Sequence, residues 1–300
     1  YDRFVLATGS TVFTPDIPGL QEHSFNVDQF ANAVRLDQHL HALADEPPGD
    51  ARNTVVIAGG GFTGIETAAD MPLRLRAIFG DDANIRVVIL EQADALGPDL
   101  GAGPRPLISA ALSDLGVEVL TSTAVTAIDA DSVTTSSGER IATRTVVWTA
   151  GARANPLAAQ LPGEHDRFGR VQADRELRAQ GVDDVFVTGD VAAAATDDAG
   201  HTTLMSCQHA LSLGRIAGHN AAAELLGLPT MPYSQPKYVT CLDLGPWGAV
   251  YTEGWERAVK LERADAKALK RSINTEWIYP PAADRDTAFA AADPAFVVVA

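Results

Sequence analysis

The stretch Val55-Val56-Ile57-Ala58-Gly59-Gly60-Gly61-Phe62-Thr63-Gly64-Ile65-Glu66 restricts the fold of this 300-residue chain more than any other. A short apolar run reads as a strand buried on both faces. Glycines follow it in a G-x-G-x-x-G spacing at Gly59, Gly61 and Gly64, and a helical pattern begins at Ile65. Gly59 permits the tight turn, Gly61 lets a pyrophosphate approach the backbone, and Gly64 lets helix and strand pack closely. The helix start that follows offers unpaired N–H groups and a dipole that favour an anion. A lone glycine pattern of this kind is weak; a strand before it and a helix after it make it a dinucleotide turn through Gly60, Phe62 and Thr63 as well.

Glu91 ends the next expected strand, Arg86 to Leu90. An acid there can accept from both adenosine ribose hydroxyls and would repel a 2′-phosphate, which predicts NADH over NADPH. The plainer reading is a solvated glutamate at a strand end. Its distance from the glycines exceeds the usual ~20 residues, as a longer first helix would require.

Strands and helices alternate around this motif. Phe4 to Ala7 reads as a strand ending in Thr8-Gly9-Ser10, and Val27 to Leu43 as a helix. Asp45 to Asp50, with Pro47, Pro48 and Gly49, is a breaker. Further helices are expected over Pro104 to Leu115 and Met205 to Leu226, and strands at Val117 to Leu120, Val146 to Trp148 and Val185 to Val187. The pattern predicts an α/β fold with parallel sheets and helices on both faces. Phe4-Val5-Leu6-Ala7-Thr8-Gly9 and Val146-Val147-Trp148-Thr149-Ala150-Gly151 echo each other, suggesting two related nucleotide-binding units. After Pro232 most of the aromatics cluster, which suggests a smaller carboxy-terminal domain. The chain opens with Tyr1-Asp2-Arg3 directly before a strand pattern, so it reads as a fragment.

Composition narrows the chemistry. A net charge of -16 argues against a nucleic-acid partner. The two cysteines, Cys207 and Cys241, are too far apart in sequence for a CxxC dithiol and suit a reducing, cytoplasmic compartment. No metal-ligand spacing is evident, and no apolar run is long enough for a membrane helix.

As an ordered set, ATGS near the start, GGGFTGIE, the WTAG strand and Val185 to Asp190 (VFVTGD) resemble the pyridine nucleotide–disulfide oxidoreductase superfamily. Ser206-Cys207-Gln208-His209-Ala210, Tyr238 to Gly248 and Ile273 to Pro281 are similar to type II NADH dehydrogenases within it. The resemblance implies two Rossmann-like (three-layer ββα) nucleotide-binding domains, the NAD domain inserted in the FAD domain, plus a small C-terminal α+β domain. The implied segments are 1–50 (end of the first FAD half and connecting helix), 51–155 (NAD domain), 156–230 (second FAD half) and 231–300 (C-terminal domain). The family's first FAD glycine motif is not found in this sequence, so the resemblance implies that the chain by itself holds FAD poorly.

The resemblance also assigns residues. FAD would lie against Ala7, Thr8, Gly9, Gly189, Asp190, Gln208, His209 and Ala210. NADH would lie against Gly59 to Gly64, Glu66, Glu91, Ala150 and Gly151. Glu66 and Gln208 are the catalytic candidates. Plain alternatives stand beside these: Glu66 as a first-turn acid complementing the helix dipole, Asp190 as a turn residue, His209 as a packing histidine. The implied activity is hydride transfer from NADH to FAD, then two-electron reduction of a quinone or similar acceptor. A soluble reductase of a ferredoxin or small molecule, and a non-catalytic nucleotide sensor, are the alternatives. Six basic residues fall between Arg257 and Arg271, and the spacing of Leu261, Leu269, Ile273 and Trp277 fits one apolar helix face. A basic, Trp-bearing amphipathic helix here is either a peripheral contact with the cytoplasmic membrane face or an ordinary packing helix. A homodimer is left open.

Overall fold

The computed structural model of the chain describes residues 1–296. The chain divides into two compact units, and the second interrupts the first. One unit comprises Tyr1–Thr11, Ala152–Tyr238 and the segment from Ile273 onward; the other comprises Val12–Gly151 and Val239–Ser272.

The inserted unit is built on a five-stranded parallel sheet in the order Ser24–Phe25, Thr145–Trp148, Thr54–Ala58, Arg86–Leu90, Val117–Leu120. Alternation along the strands supplies two cores at once. Val55, Ile57, Val87 and Ile89 face helices Phe30–Leu43, Phe62–Phe79 and Arg105–Asp114. Val56, Ala58, Val88 and Leu90 face an antiparallel meander of Val125–Ile128, Ser132–Thr135 and Arg140–Ala142. Helices, sheet and meander make the three layers of a Rossmann-like unit. The central strands Thr54–Ala58 and Arg86–Leu90 are almost wholly apolar because both their faces are covered, whereas the edge strand Val117–Leu120 exposes Glu118. Each buried Val or Ile contributes roughly 1.5–3 kcal/mol.

The Val239–Ser272 segment shares this core. Its three-stranded antiparallel sheet (Val239–Asp243, Ala249–Glu253, Ala258–Glu262) contributes Leu242, Leu244, Trp247 and Val250 to the helix-side cluster. Gly245, at φ 57°, comes so close that a Cβ there would sit 2.4 Å from the Ala69 carbonyl oxygen. Packing of this kind explains why the shift in composition after Pro232 does not mark a separate compact body. The last four residues of the expected 231–300 domain lie outside the described residues.

The expected apolar helix face through Leu261, Leu269, Ile273 and Trp277 does not form on one helix. Leu261 lies on the Ala258–Glu262 strand, Arg263 breaks the chain at φ 57°, and helix Arg263–Ser272 gives way to a π-turn over Ile273–Trp277. Strand pairing with Ala249–Glu253 outcompetes the helical spacing there. Among the described residues no helix is long and apolar enough to cross a membrane.

In the other unit, Phe4–Leu6 pairs in parallel with Val185–Val187, and helix Cys207–Leu226 packs Leu213, Ile216 and Ala217 against Leu6, Phe186 and Val187. Asn220, fully buried on that helix, donates to the Glu176 and Met231 carbonyls and accepts from the Met231 N–H. Glu224 near the helix end holds Arg3 and Arg178.

Candidate functional site

Each unit presents a glycine-bearing turn at the carboxyl ends of its parallel strands, where open α/β sheets place their ligands. In the inserted unit the strand Thr54–Ala58 ends at Gly59, whose φ of 119° only glycine adopts readily. A Cβ on Gly64 would sit 1.9 Å from the Gly59 carbonyl oxygen, so this glycine is what lets helix Phe62–Phe79 pack onto the strand end. A Cβ on Gly61 would meet nothing within 4 Å. The three glycines thus separate into a positive-φ turn, an open position and a packing contact. Thr149 ties the neighbouring strand to this turn, its hydroxyl donating to the Ala58 and Gly59 carbonyls at 3.1 Å. Ala150 and Gly151 follow it.

The helix after the glycines is 18 residues long and starts earlier than the sequence pattern suggests, at Phe62. That length accounts for the position of Glu91. The glutamate is buried: one carboxylate oxygen accepts from the Gly60 N–H at 2.7 Å and the other from the Ala93 N–H at 2.8 Å. It is therefore not a solvated strand-end acid. Two held oxygens with spare lone pairs fit a pair of ribose hydroxyls.

Glu66 stands one turn further along the helix. Its Oε1 accepts from the Asp243 N–H at 2.8 Å and lies 2.8 Å from the Lys270 ammonium. The helix starts at Phe62, so Glu66 falls beyond its first turn and makes a specific ion pair there. Neither partner is evident in the sequence, since 177 residues separate Glu66 from Asp243. Helices Phe30–Leu43 and Phe62–Phe79 enclose a groove of about 450 Å³ beside Glu66, lined by Val34, Leu40, Met71, Asp37 and Arg74.

In the other unit, Ala7-Thr8-Gly9 and Gly189-Asp190 follow the two paired strands. Gly9 and Gly189 adopt φ values of 69° and 70°, and a Cβ on either would meet open space. Asp190 accepts from the Ser10 hydroxyl at 2.6 Å. The Thr8 and Thr188 hydroxyl oxygens are buried with no hydrogen-bond partner among the described residues. Buried polar groups are rarely left so, and two of them beside an oriented carboxylate fit a polar ligand such as a dinucleotide.

Helix Cys207–Leu226 begins in the same unit with Ser206 as its cap, the hydroxyl accepting from the His209 N–H. His209 is fully buried; its Nδ1 accepts from the Leu204 N–H at 2.8 Å and its ring stacks on Tyr238 at 4.8 Å. These contacts pack the imidazole inside the unit. Gln208 is half-buried, and its Oε1 accepts from the Gln235 amide at 3.4 Å. Ala210 adds no bulk to the first turn, where N–H groups and the helix dipole favour negative charge. Ser10, Thr188 and Tyr238 lie within the sequence motifs, but the sequence assigns none of them a role of its own.

A family model described as pyridine nucleotide-disulphide oxidoreductase matches residues 1–214. The chain belongs to this family. Its place among these oxidoreductases is narrowed by an NADH dehydrogenase-like protein of Mycobacterium tuberculosis, 52% identical over 94% of this chain and 70% of that protein. A type II NADH:quinone oxidoreductase of Staphylococcus epidermidis is 27% identical over 93% of this chain and 71% of its own length. Among solved structures, NDH2 from Plasmodium falciparum in complex with NADH superposes with a TM-score of 0.73 at 13% identity, covering 97% of this chain and 76% of that one. Against other structures of the same fold the chain spans less than half of the longer protein. FAD and a pyridine nucleotide are the cofactors associated with the family and its structural neighbours.

Proposed function

We propose that the protein containing this chain is a FAD-dependent NADH dehydrogenase that passes two electrons to a quinone. The observation that carries this reading is the Gly59–Gly64 turn with the Glu91 carboxylate fixed on the Gly60 N–H. A nucleotide pyrophosphate would lie on the open Gly61 side of the turn, with Gly60, Phe62 and Thr63 at the helix start. Glu91 would take the ribose hydroxyls and reject a 2′-phosphate by like charge, giving NADH preference. Ala150 and Gly151 would border the same nucleotide.

In the other unit, Ala7, Thr8, Gly9, Gly189 and Asp190 would hold FAD, with Asp190 oriented by Ser10 and the Thr8 and Thr188 hydroxyls available to it. Gln208, His209 and Ala210 would offer a helix start that favours the negative charge a reduced flavin carries. When bound, the two cofactors supply hydride transfer and a two-electron relay, so the chain's part is alignment and electrostatics. Glu66, held by Lys270 and the Asp243 N–H, would be the acid that reaches the nicotinamide end of NADH, with Glu91 at the ribose end. Quinone as acceptor is supported by the NADH:quinone oxidoreductase relative.

Stopped-flow absorbance of the full-length protein tests the reading. Anaerobic NADH should bleach the flavin, and a soluble quinone should then restore it within turnover time. Bleaching without reoxidation by quinone would transfer the reading to a reductase of another acceptor. A purified protein without flavin absorbance would refute it.

A further inference from the structure

Glu66 is fixed by a construction that lies outside the nucleotide motifs. The Asp243 N–H and the Lys270 ammonium both reach its Oε1 at 2.8 Å. Lys270 is itself held, donating to the Cys241 carbonyl at 3.0 Å and lying 5.4 Å from the centre of the Phe62 ring. The turn after Asp243 is tied twice. The Gly245 N–H donates to Asp243 Oδ1 at 2.8 Å, and Lys267 Nζ reaches both Asp243 carboxylate oxygens at 2.6 and 2.8 Å and the Gly245 carbonyl at 3.2 Å. Lys267 and Lys270 are three residues apart on one helix, so they share a face. One turn of helix therefore supplies a cation to Glu66 and another to the residue that donates to Glu66.

We propose that Lys267 is a positioning residue for Glu66, acting through Asp243. It neutralises the Asp243 carboxylate and clamps the turn, so that a backbone N–H and not a second negative charge confronts Glu66. The inference rests on the reading of Glu66 as part of the NADH site. The charged and titratable groups around Glu66 support it. From the carboxy-terminal segment these are Lys270, Lys267, Asp243 and the Cys241 thiol; from its own helix, Asp70 and Arg74; from helix Phe30–Leu43, Asp37. Arg74 is committed to Asp37 at 2.8 Å and Asp70 at 3.4 Å. Removing Lys267 thus leaves Asp243 as an uncompensated anion beside Glu66. The Lys267–Asp243 pair is itself partly exposed and so adds little to global stability, which puts its effect in turnover.

The test is a double-mutant cycle on the full-length holoenzyme, with NADH and a soluble quinone as substrates. Lys267→Gln should lower kcat on the order of tenfold, the scale of one lost positioning hydrogen bond. KM for NADH should stay within about twofold, since Lys267 touches neither the glycine turn nor Glu91. Lys267→Arg should restore most of kcat. In the Glu66→Gln background, Lys267→Gln should cost nothing further, because its effect passes through Glu66. Asp243→Asn combined with Lys267→Gln should be faster than Lys267→Gln alone, because the stranded charge is gone; this arm also serves if the single variant is recovered poorly. An equal loss with and without Glu66, or no rescue by arginine, would overturn the inference while leaving the NADH-site reading intact. Glu66→Gln turning over like the wild type would overturn both.

Discussion

The carboxylate of Glu91 is bound to the backbone N–H of Gly60 at 2.7 Å, so the acid that ends one strand is locked to the glycine turn that ends its neighbour. The group proposed to select the nucleotide is built into the turn proposed to bind it. Glu91→Ala would leave the Gly60 and Ala93 N–H groups without their acceptor, at about 1–3 kcal/mol for each one kept from water. The expected result is an NADH dissociation constant raised at least ~10-fold, with discrimination against NADPH reduced, since the repelling charge is gone. Titrations of full-length protein with both nucleotides, followed by flavin bleaching, measure it. Unchanged NADH affinity would remove Glu91 from the site.

Gly61 and Gly64 should fail in opposite ways. Gly64→Ala forces a methyl 1.9 Å from the Gly59 carbonyl oxygen and 2.8 Å from the Thr149 hydroxyl, both part of the packed turn. It should cost about 1–3 kcal/mol of stability, visible as a lower Tm. Gly61→Ala has no such neighbour and a φ of -78°, which alanine accepts. Its Tm should be unchanged, while NADH binding weakens because the methyl occupies the side left open to the pyrophosphate. Thermal melts with and without NADH distinguish the two.

This contrast also shows what was legible in the sequence. The roles of Gly59, Gly61 and Gly64 are local, fixed by a strand, a turn and a helix within a dozen residues, so spacing alone conveys them. The burial of Glu91 was not legible, because its exposure depends on where the Gly60 N–H points. Lys270 and Asp243 were invisible for a stronger reason: they reach Glu66 only after the carboxy-terminal sheet packs onto helix Phe62–Phe79 through Leu242, Leu244 and Trp247. The misread helix around Leu261 has a related cause. Four-residue spacing of apolar residues is compatible with a strand followed by a helix, and the break falls at Arg263, a residue with no turn signature.

Ser10 donates to Asp190 across 180 residues of sequence, and both lie in the unit proposed to hold FAD. Ser10→Ala should leave the fold intact and free Asp190 to rotate. Flavin retention after gel filtration of the full-length protein should fall several-fold, and Asp190→Ala should fall further, because it removes the acceptor itself. Full flavin occupancy in Asp190→Ala would show that the carboxylate only closes its turn.

The cluster of Glu224, Arg3 and Arg178 gives a stability signal with a defined sign. Burial pushes the Glu224 carboxyl up, but the guanidinium of Arg178, 2.6 Å away, and that of Arg3 at 2.5 Å outweigh it and hold it below its ordinary value of 4.5. A carboxyl depressed in the folded state stabilises that state fully above its unfolded value, and the contribution is lost as pH falls through the folded one. The unit containing strand Phe4–Leu6 should therefore loosen as the pH drops through about 4.5, the point at which an unfolded glutamate is about half protonated. Glu224→Gln should lower Tm at pH 7, where the charge is present in the wild type, and flatten the dependence of Tm on pH below that point. Equal slopes in both proteins between pH 3 and 5 would assign the acid sensitivity to other carboxylates, with Asp166, held low against burial by Arg170, the next to replace.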